Sequence, residues 1–136
     1  MFEILEHPAD IGFRARGRTL AELFEQAGEA MASIALELED IAPRREYPLS
    51  AEGPDLEALL VNWLSEVLYW MDGERIAFRR FRLDRVSPTA VTGAGLGEPR
   101  DPARHRAKLI VKAVTYHQLR VAEVPEGWTA EVYLDI

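Results

Sequence analysis

Apolar and polar residues alternate in three segments near the two ends of the chain. Every second residue from Trp128 to Ile136 is apolar, and Asp135 belongs to the opposite, polar face. Ile11, Phe13 and Ala15 alternate with small or basic residues up to Gly17, and residues 2–5 form a shorter apolar segment that ends before Pro8. A period of two residues is typical of a half-buried strand. The pattern therefore predicts strands over residues 2–5, 11–17 and 128–136.

Two segments have helical spacing instead. The first begins at Thr19, where Glu22 has the capping-box spacing that lets its carboxylate reach back to the Thr19 amide. Its apolar stripe is Leu20, Leu23, Phe24, Ala27, Met31 and Ile34. The second begins near Pro54-Asp55 and ends at Asp72-Gly73. It has the clearest apolar periodicity in the chain, so we expect it at the centre of the core.

The remaining segments predict further strands and one long loop. Residues 44–51 contain a proline and predict at best an edge strand. Residues 76–83 predict a strand with a one-residue bulge between Phe78 and Phe81, followed by a strand over 89–94 and a Gly/Pro-rich loop over 95–106. Residues 108–117 are apolar on both faces and predict a central strand covered on two sides. Residues 118–124 continue the sheet, and 125–127 turn into the final strand.

These elements predict an α+β fold in which two principal helices pack on a mainly antiparallel sheet, as a single compact domain over residues 1–136. The chain has 48% hydrophobic residues, which is ordinary for a globular protein. Without a long apolar run or a basic-then-apolar leader, we expect a cytoplasmic protein.

Composition restricts the chemistry. The chain has no cysteine, which excludes disulfides, thiolate metal sites and cysteine nucleophiles. Its net charge of -7 argues against broad nonspecific coating of nucleic acid. Lys108 and Lys112 are the only lysines among 16 basic residues. Lys112 interrupts the predicted central strand, where a buried ammonium would need an anionic partner, unless its stem carries the charge to the sheet edge.

Several oxygen and nitrogen ligands suit a metal or an acid–base role if the fold brings them together. Asp10, Asp135 and the terminal carboxylate of Ile136 would form a set of hard oxygens of the kind that Ca²⁺ and Mg²⁺ prefer. Taken singly, each candidate has a plainer interpretation. Asp10 is typical of a turn residue and His105 of a solvated loop residue. His117 is typical of a hydrogen-bonded structural histidine at the end of a strand. Glu98 with His105 could form an acid–base pair, but no nucleophile or oxyanion site accompanies it.

Two other patterns carry less weight. Gly93, Gly95 and Gly97 match neither dinucleotide nor P-loop spacing and are typical of a flexible loop. Two arginine runs are typical of solvated strand faces, although together they could form a local patch for RNA. The runs are Arg79, Arg80, Arg82 and Arg85, and Arg100, Arg104 and Arg106.

Four motifs resemble the archease family in order and spacing. They are His7-Pro8-Ala9-Asp10-Ile11-Gly12, Gly97-Glu98 through His105, Lys112-Ala113-Val114-Thr115-Tyr116-His117, and Asp135-Ile136. Residues 59–64 of the second predicted helix also fit, so the resemblance covers essentially the whole chain. Pro8 departs from the family, which commonly has Thr there, and the change removes a hydroxyl but keeps Asp10.

The resemblance implies an accessory protein and not an enzyme. Archeases activate RtcB-type RNA ligases in tRNA splicing and RNA repair. They promote guanylylation of the ligase histidine and multiple turnover, and they broaden nucleotide use beyond GTP. RNA and GTP would thus be met through the ligase. The resemblance implies a divalent metal, first Ca²⁺ and otherwise Mg²⁺ or Mn²⁺, at Asp10, Asp135 and Ile136, and a required lysine at Lys112. His7, Glu98, His105 and His117 lie in matching motifs with unassigned roles.

Two functions of other classes remain as alternatives. A free-standing metal-dependent phosphohydrolase would use the same carboxylates without a partner. A chaperone-like or RNA-binding module would act through the arginine runs, and its affinity for RNA would fall steeply with salt.

Overall fold

A computed structural model of the protein describes residues 1–6 and 10–136, and it has two helices between two antiparallel sheets. The helices are α1, Leu20–Ala35, and α2, Leu56–Asp72, with a short 3-10 turn at Leu38–Asp40. The strands are β1 Phe2–Glu6, β2 Asp10–Gly17, β3 Arg45–Glu52, β4 Ile76–Val86, β5 Ala90–Pro99, β6 Ala113–Val114, β7 Arg120–Val124 and β8 Gly127–Asp135.

The strands divide into a five-stranded and a three-stranded sheet. In the larger sheet the order is β1-β2-β8, with β6 and β7 following one another along the far edge of β8. In the smaller sheet β5 lies between β3 and β4. The α+β prediction is confirmed, with the antiparallel strands shared between two sheets. The edge position of β3 and the bulge after Phe78 are also confirmed.

Both helices begin where the sequence places them. The Thr19 hydroxyl accepts a hydrogen bond from the Glu22 amide at 3.1 Å, and the Asp55 carboxylate accepts one from the Ala58 amide at 2.8 Å. These side chains satisfy amides that have no partner within the helix. The Glu22 carboxylate bonds the Arg18 amide, at 3.3 Å, so the prediction that it would reach Thr19 is wrong by one residue.

One hydrophobic core joins the helices to both sheets. The Trp63 indole of α2 is fully buried and donates a hydrogen bond to the Phe24 carbonyl of α1 at 3.0 Å. α1 packs on β2, β4 and β8, and α2 packs on strands of both sheets. In the part of the chain that the structure describes, neither helix is long and apolar enough to cross a membrane.

Two predictions about strands are wrong. Residues 95–99 continue β5 and are not a loop, because Gly95 and Gly97 let the strand pass close to β4 where any side chain would overlap it. Residues 108–117 do not form a central strand, since only Ala113–Val114 is a strand and it lies at the sheet edge. Leu109 and Ile110 are 42% and 77% exposed, so the apolar run there does not mark a buried strand.

Candidate metal and partner site

Antiparallel pairing of β2 with β8 brings two predicted metal ligands together. Asp10 and Asp135 are directly opposite each other in the ladder, at the end of both strands. Directly opposite residues project from the same face, with Cβ atoms roughly 4.5–5.5 Å apart. Asp135 is exposed and Asp10 is partly exposed. The two carboxylates therefore lie at one accessible end of the five-stranded sheet.

A tyrosine continues this face next to the carboxylates. Tyr133 lies opposite Gly12, and its ring covers that glycine so closely that a methyl group there would come within 2.6 Å of the ring. One step further along, the Arg14 guanidinium bonds the Glu131 and Glu3 carboxylates at 3.4 and 2.7 Å. The sequence placed Tyr133 on the polar face, but nothing in it signalled that Gly12 would make room to bury the ring.

Lys112 lies on the other side of Asp135. Its amide donates a hydrogen bond to the Asp135 carbonyl at 2.8 Å, and Ala113 is the β6 partner of Asp135. The Lys112 side chain is exposed, so the prediction of an ammonium buried in a central strand is wrong. Its proximity to the carboxylates is set by the main chain, which leaves the side chain to point its charge toward solvent or a partner.

His117 belongs to the same region. Its ring lies 6.1 Å from that of Tyr133 in an edge-on arrangement, and the imidazole is exposed. The Thr115 hydroxyl fixes this turn, because it donates to the Tyr133 carbonyl at 2.9 Å and accepts from the His117 amide at 3.3 Å. The interpretation of His117 as a hydrogen-bonded histidine at a strand end and its role toward a partner both stay predictions.

The donor set at this sheet end fits a hard divalent cation only in part. Asp10 and Asp135 supply carboxylate oxygens from one face. Among the described residues, no group of three or more His, Asp or Glu side chains lies close enough to hold a metal. A metal there would need further oxygen ligands from a terminal carboxylate, from water or from a partner. His7, which lies in a motif that matches the family, is outside the described residues.

Glu98 and His105 form a different, buried site at the end of β5. The Glu98 carboxylate is fully buried and accepts hydrogen bonds from His105 Nε2 at 2.8 Å, the Ala42 amide at 3.0 Å and Arg104 at 2.6 Å. The Arg44 guanidinium lies 3.0 Å away on the other oxygen. His105 is 1% exposed, so the interpretation as a solvated loop residue is wrong.

The hydrogen bonds fix the tautomer of His105. Its Nδ1 accepts from the Asp101 amide at 2.8 Å, so the proton must be on Nε2, which donates it to Glu98. The bond from Arg104, with those from the Ala42 amide and His105, lowers the pKa of Glu98 from 4.5 to about 2 despite its burial. An anionic Glu98 beside a neutral, fully bonded His105 is a structural network, with no reactive atom left accessible.

The arginine runs are mostly engaged within the protein. Arg82 pairs with Asp84 and Glu46, and Arg106 pairs with Asp40 at 2.9 Å, which lowers the pKa of Asp40. Arg104 pairs with Glu98. Asp84 and Glu98 are close in sequence to their arginines, whereas Glu46 and Asp40 come from distant segments, so the runs alone do not predict those two contacts. The first run lies on β4, as a solvated strand face would, whereas the second run lies between β5 and β6 and is not on a strand.

Comparison with known proteins identifies the family. Residues 2–136 match the Archease protein family. The chain is 39% identical to Protein archease of Methanosarcina barkeri, covering 99% of this chain and 95% of that one, and 37% identical to Protein archease of Pyrococcus furiosus, covering 99% and 98%.

Two solved structures have the same fold. The solution structure of a Methanobacterium thermoautotrophicum protein has a TM-score of 0.81 at 28% identity, covering 99% of this chain and 98% of that one. A Thermotoga maritima archease, described as a possible chaperone, has a TM-score of 0.59 at 21% identity, covering 97% and 94%, and shows the fold alone. The match over essentially its whole length shows that this chain belongs to the archease family.

Proposed function

We propose that this protein is a cytoplasmic activator of an RtcB-type RNA ligase in tRNA splicing and RNA repair. In this role it promotes guanylylation of the ligase histidine and multiple turnover, and it broadens the nucleotides that the ligase accepts. RNA and GTP bind to the ligase and reach this protein only through it. The observation that carries the proposal is the pairing of Asp10 with Asp135 at an accessible sheet end.

The same sheet end offers the chemistry that such an activator needs. Asp10, Asp135 and the terminal carboxylate of Ile136 would hold Ca²⁺, or else Mg²⁺ or Mn²⁺, with the remaining oxygens from water or the ligase. A divalent ion bound there would supply positive charge against nucleotide phosphates. Lys112 adds a second positive group beside Asp135, and the exposed His117, whose ring lies against the buried Tyr133, forms the adjoining surface for the partner.

The state of Glu98 and His105 supports a non-enzymatic role. An acid–base pair must reach the proton that it transfers, whereas both of these side chains are buried and bonded to each other. We therefore assign Glu98 and His105 a structural role, which is to hold the residues around position 100 that precede Lys112.

The test is transfer of labelled guanylate from GTP to the cognate ligase under multiple-turnover conditions. Asp10→Asn and Asp135→Asn keep side-chain size and remove charge, and we expect each to lose most of the stimulation. Glu123→Gln is the matched control, because Glu123 is an exposed carboxylate on β7 of the same sheet. A short extension after Ile136 tests the terminal carboxylate. Full stimulation by Asp135→Asn would contradict the proposal.

Two further measurements separate the alternatives. Metal-dependent phosphate hydrolysis by this protein without ligase would identify a phosphohydrolase. RNA binding that weakens with salt and survives both Asn substitutions would identify an RNA-binding module. The ion pairs of Arg82, Arg104 and Arg106 weigh against the latter, since these side chains already have acidic partners.

A further inference from the structure

A cavity of about 290 Å³ lies at the ends of the two helices, and neither Asp10 nor Asp135 contributes to its lining. Its walls come from the last turns of α1 and α2, the start of β4 and the segment 107–111. Most of its lining is apolar, contributed by Leu36, Leu68, Met71, Ile76, Leu109 and Val111. Its volume is at the lower limit of small-ligand pockets, which are roughly 300–1,000 Å³.

Two arginines contribute to the lining of this apolar cavity. The Arg100 amide donates a hydrogen bond to the Arg75 carbonyl at 2.8 Å, so the two residues are held side by side where β4 and β5 pair. Within residues 1–6 and 10–136, no ion pair or side-chain hydrogen bond engages either guanidinium group. Neighbouring like charges without counterions are unfavourable, and here a bound anion would relieve them.

The Nε atom of Arg100 distinguishes this arrangement from a pair of solvated surface arginines. It is shielded from solvent and has no hydrogen-bond partner within the described part of the chain. A buried donor without a partner costs roughly 1–3 kcal/mol. An acceptor bound against Arg100 would offset this cost.

Other charges at the cavity are already balanced. Lys108 also contributes to the lining, but its ammonium donates to the Ser33 carbonyl at 2.8 Å and lies 3.8 Å from Glu37. The amides of Lys108 and Leu109 bond the last carbonyls of α1, which offsets the negative end of that helix. Asp72 is the one acidic side chain of the lining. The two arginines therefore leave the cavity with net positive charge.

The backbone at Arg75 is consistent with a position shaped for a ligand. Arg75 has a φ of 59°, in the left-handed region that residues other than glycine rarely adopt. Such strain persists only where the surroundings hold it, and it concentrates at functional sites. Arg75 directly precedes β4 and contributes to the cavity lining.

We propose that this cavity binds a small amphipathic anion, a carboxylate or phosphate carried on a short apolar stem. The anionic group bonds Arg100 and Arg75, and the stem occupies the apolar walls toward Leu68 and Val111. This site is independent of the proposed ligase activation, and its ligand is recognised by the charge and the apolar stem together.

The test is a titration followed by backbone-amide NMR with four probes: hexanoate, hexyl phosphate, hexanol and inorganic phosphate. We expect hexanoate or hexyl phosphate to shift the amides of residues 107–111 and to bind about tenfold more tightly than hexanol, as expected for one charge-assisted hydrogen bond. Which of the two binds better identifies the anionic group. Equal binding of hexanol, or no binding by either anion, would overturn the proposal.

Variants test which side chains supply the positive charge that binds the anion. Arg100→Gln should remove the preference for the anions over hexanol, and Arg75→Asn, which tolerates a positive φ, should weaken it in a protein that keeps its fold. Arg80→Gln is the control, since Arg80 is an exposed arginine on β4 outside the cavity. Ala107→Trp should block all four probes by filling the space. An equal loss of anion preference in Arg80→Gln would show a general charge effect and refute the site.

Discussion

His105 donates its Nε2 proton to the buried Glu98 carboxylate across 2.8 Å, while its Nδ1 accepts the Asp101 amide. This pair links β5 to the following segment, which runs along the end of α1 and leads to Lys112. Glu98→Ala removes the acceptor and leaves a buried imidazole donor without a partner. We expect a loss of roughly 1–3 kcal/mol in the free energy of unfolding, measured by urea denaturation. Glu123→Gln should change it by less than about 0.5 kcal/mol.

The same carboxylate predicts acid sensitivity. Its pKa in the folded protein is about 2, below the ordinary 4.5, so ionised Glu98 favours the folded state. That stabilisation is complete above pH 4.5 and is lost as the pH falls toward 2. The pKa values of Asp40 and Asp84 are also lowered. Both residues are present in the wild type and in the Glu98→Gln variant, so they do not contribute to a difference between the two. The stability of Glu98→Gln, followed by circular dichroism, should therefore depend less steeply on pH in this window than that of the wild type. Identical slopes would show that Glu98 is not anionic.

Asp135→Asn should have opposite effects with and without metal. Like charges on directly opposite strand positions are destabilising, so without metal the variant should be more stable than the wild type by roughly 0.2–1 kcal/mol. With excess Ca²⁺ the wild type should gain stability by mass action and the variant should not. Melting temperatures with Ca²⁺ and with a chelator test both. A Ca²⁺-dependent rise that persists in Asp135→Asn would place the metal elsewhere.

The two lysines provide a matched pair. Lys112 is held by its main-chain amide, so Lys112→Ala should keep the stability within about 0.5 kcal/mol and lose stimulation of the ligase. Lys108 uses its ammonium to cap the Ser33 carbonyl of α1. Lys108→Ala should lower stability by about 0.3–1 kcal/mol and leave stimulation unchanged. Guanylylation and denaturation are measured on both proteins, and a reversed pattern would contradict the assignment of Lys112 to the partner surface.

Gly97→Ala tests the close packing of β5 on β4. A methyl group at Gly97 would overlap the Ala77 carbonyl oxygen, and a backbone atom cannot move aside as a flexible side chain can. Overpacking of this kind costs roughly 1–3 kcal/mol. Thr92→Ala, at an exposed position of the same strand, is the control. Unfolding free energies that do not differ between the two variants would show that the strands can separate locally.

The elements that local periodicity and capping determine are predictable from the sequence. Both helices and their caps, the edge position of β3 and the bulge after Phe78 follow from apolar spacing and local hydrogen bonding. The extent of β5 does not, because glycine is a poor strand former and is tolerated here only through contact with Phe78 and Ala77.

The site is predictable in part for the same reason. Asp10 and Asp135 follow from the ends of two alternating strands, whose pairing supplies the contact. The prediction of a central strand over residues 108–117 is wrong because apolar residues of this segment line the cavity at the helix ends. An apolar run alone does not distinguish that role from a buried strand. The partners of Glu98, Arg44 and Arg104, were missed because a buried carboxylate attracts cations from separate loops.

The position of β8 between β2 and the strands β6 and β7 has a consequence for biosynthesis. Arg14 and Glu131 face each other on β2 and β8, although 117 positions separate them in the chain. During translation, β2 therefore emerges from the ribosome long before its neighbour exists, with one row of backbone amides and carbonyls open to any passing strand. Closure of so long a loop is slow. The nascent polypeptide must remain protected from aggregation over that interval, and the Asp10 and Asp135 carboxylates come together only at its end.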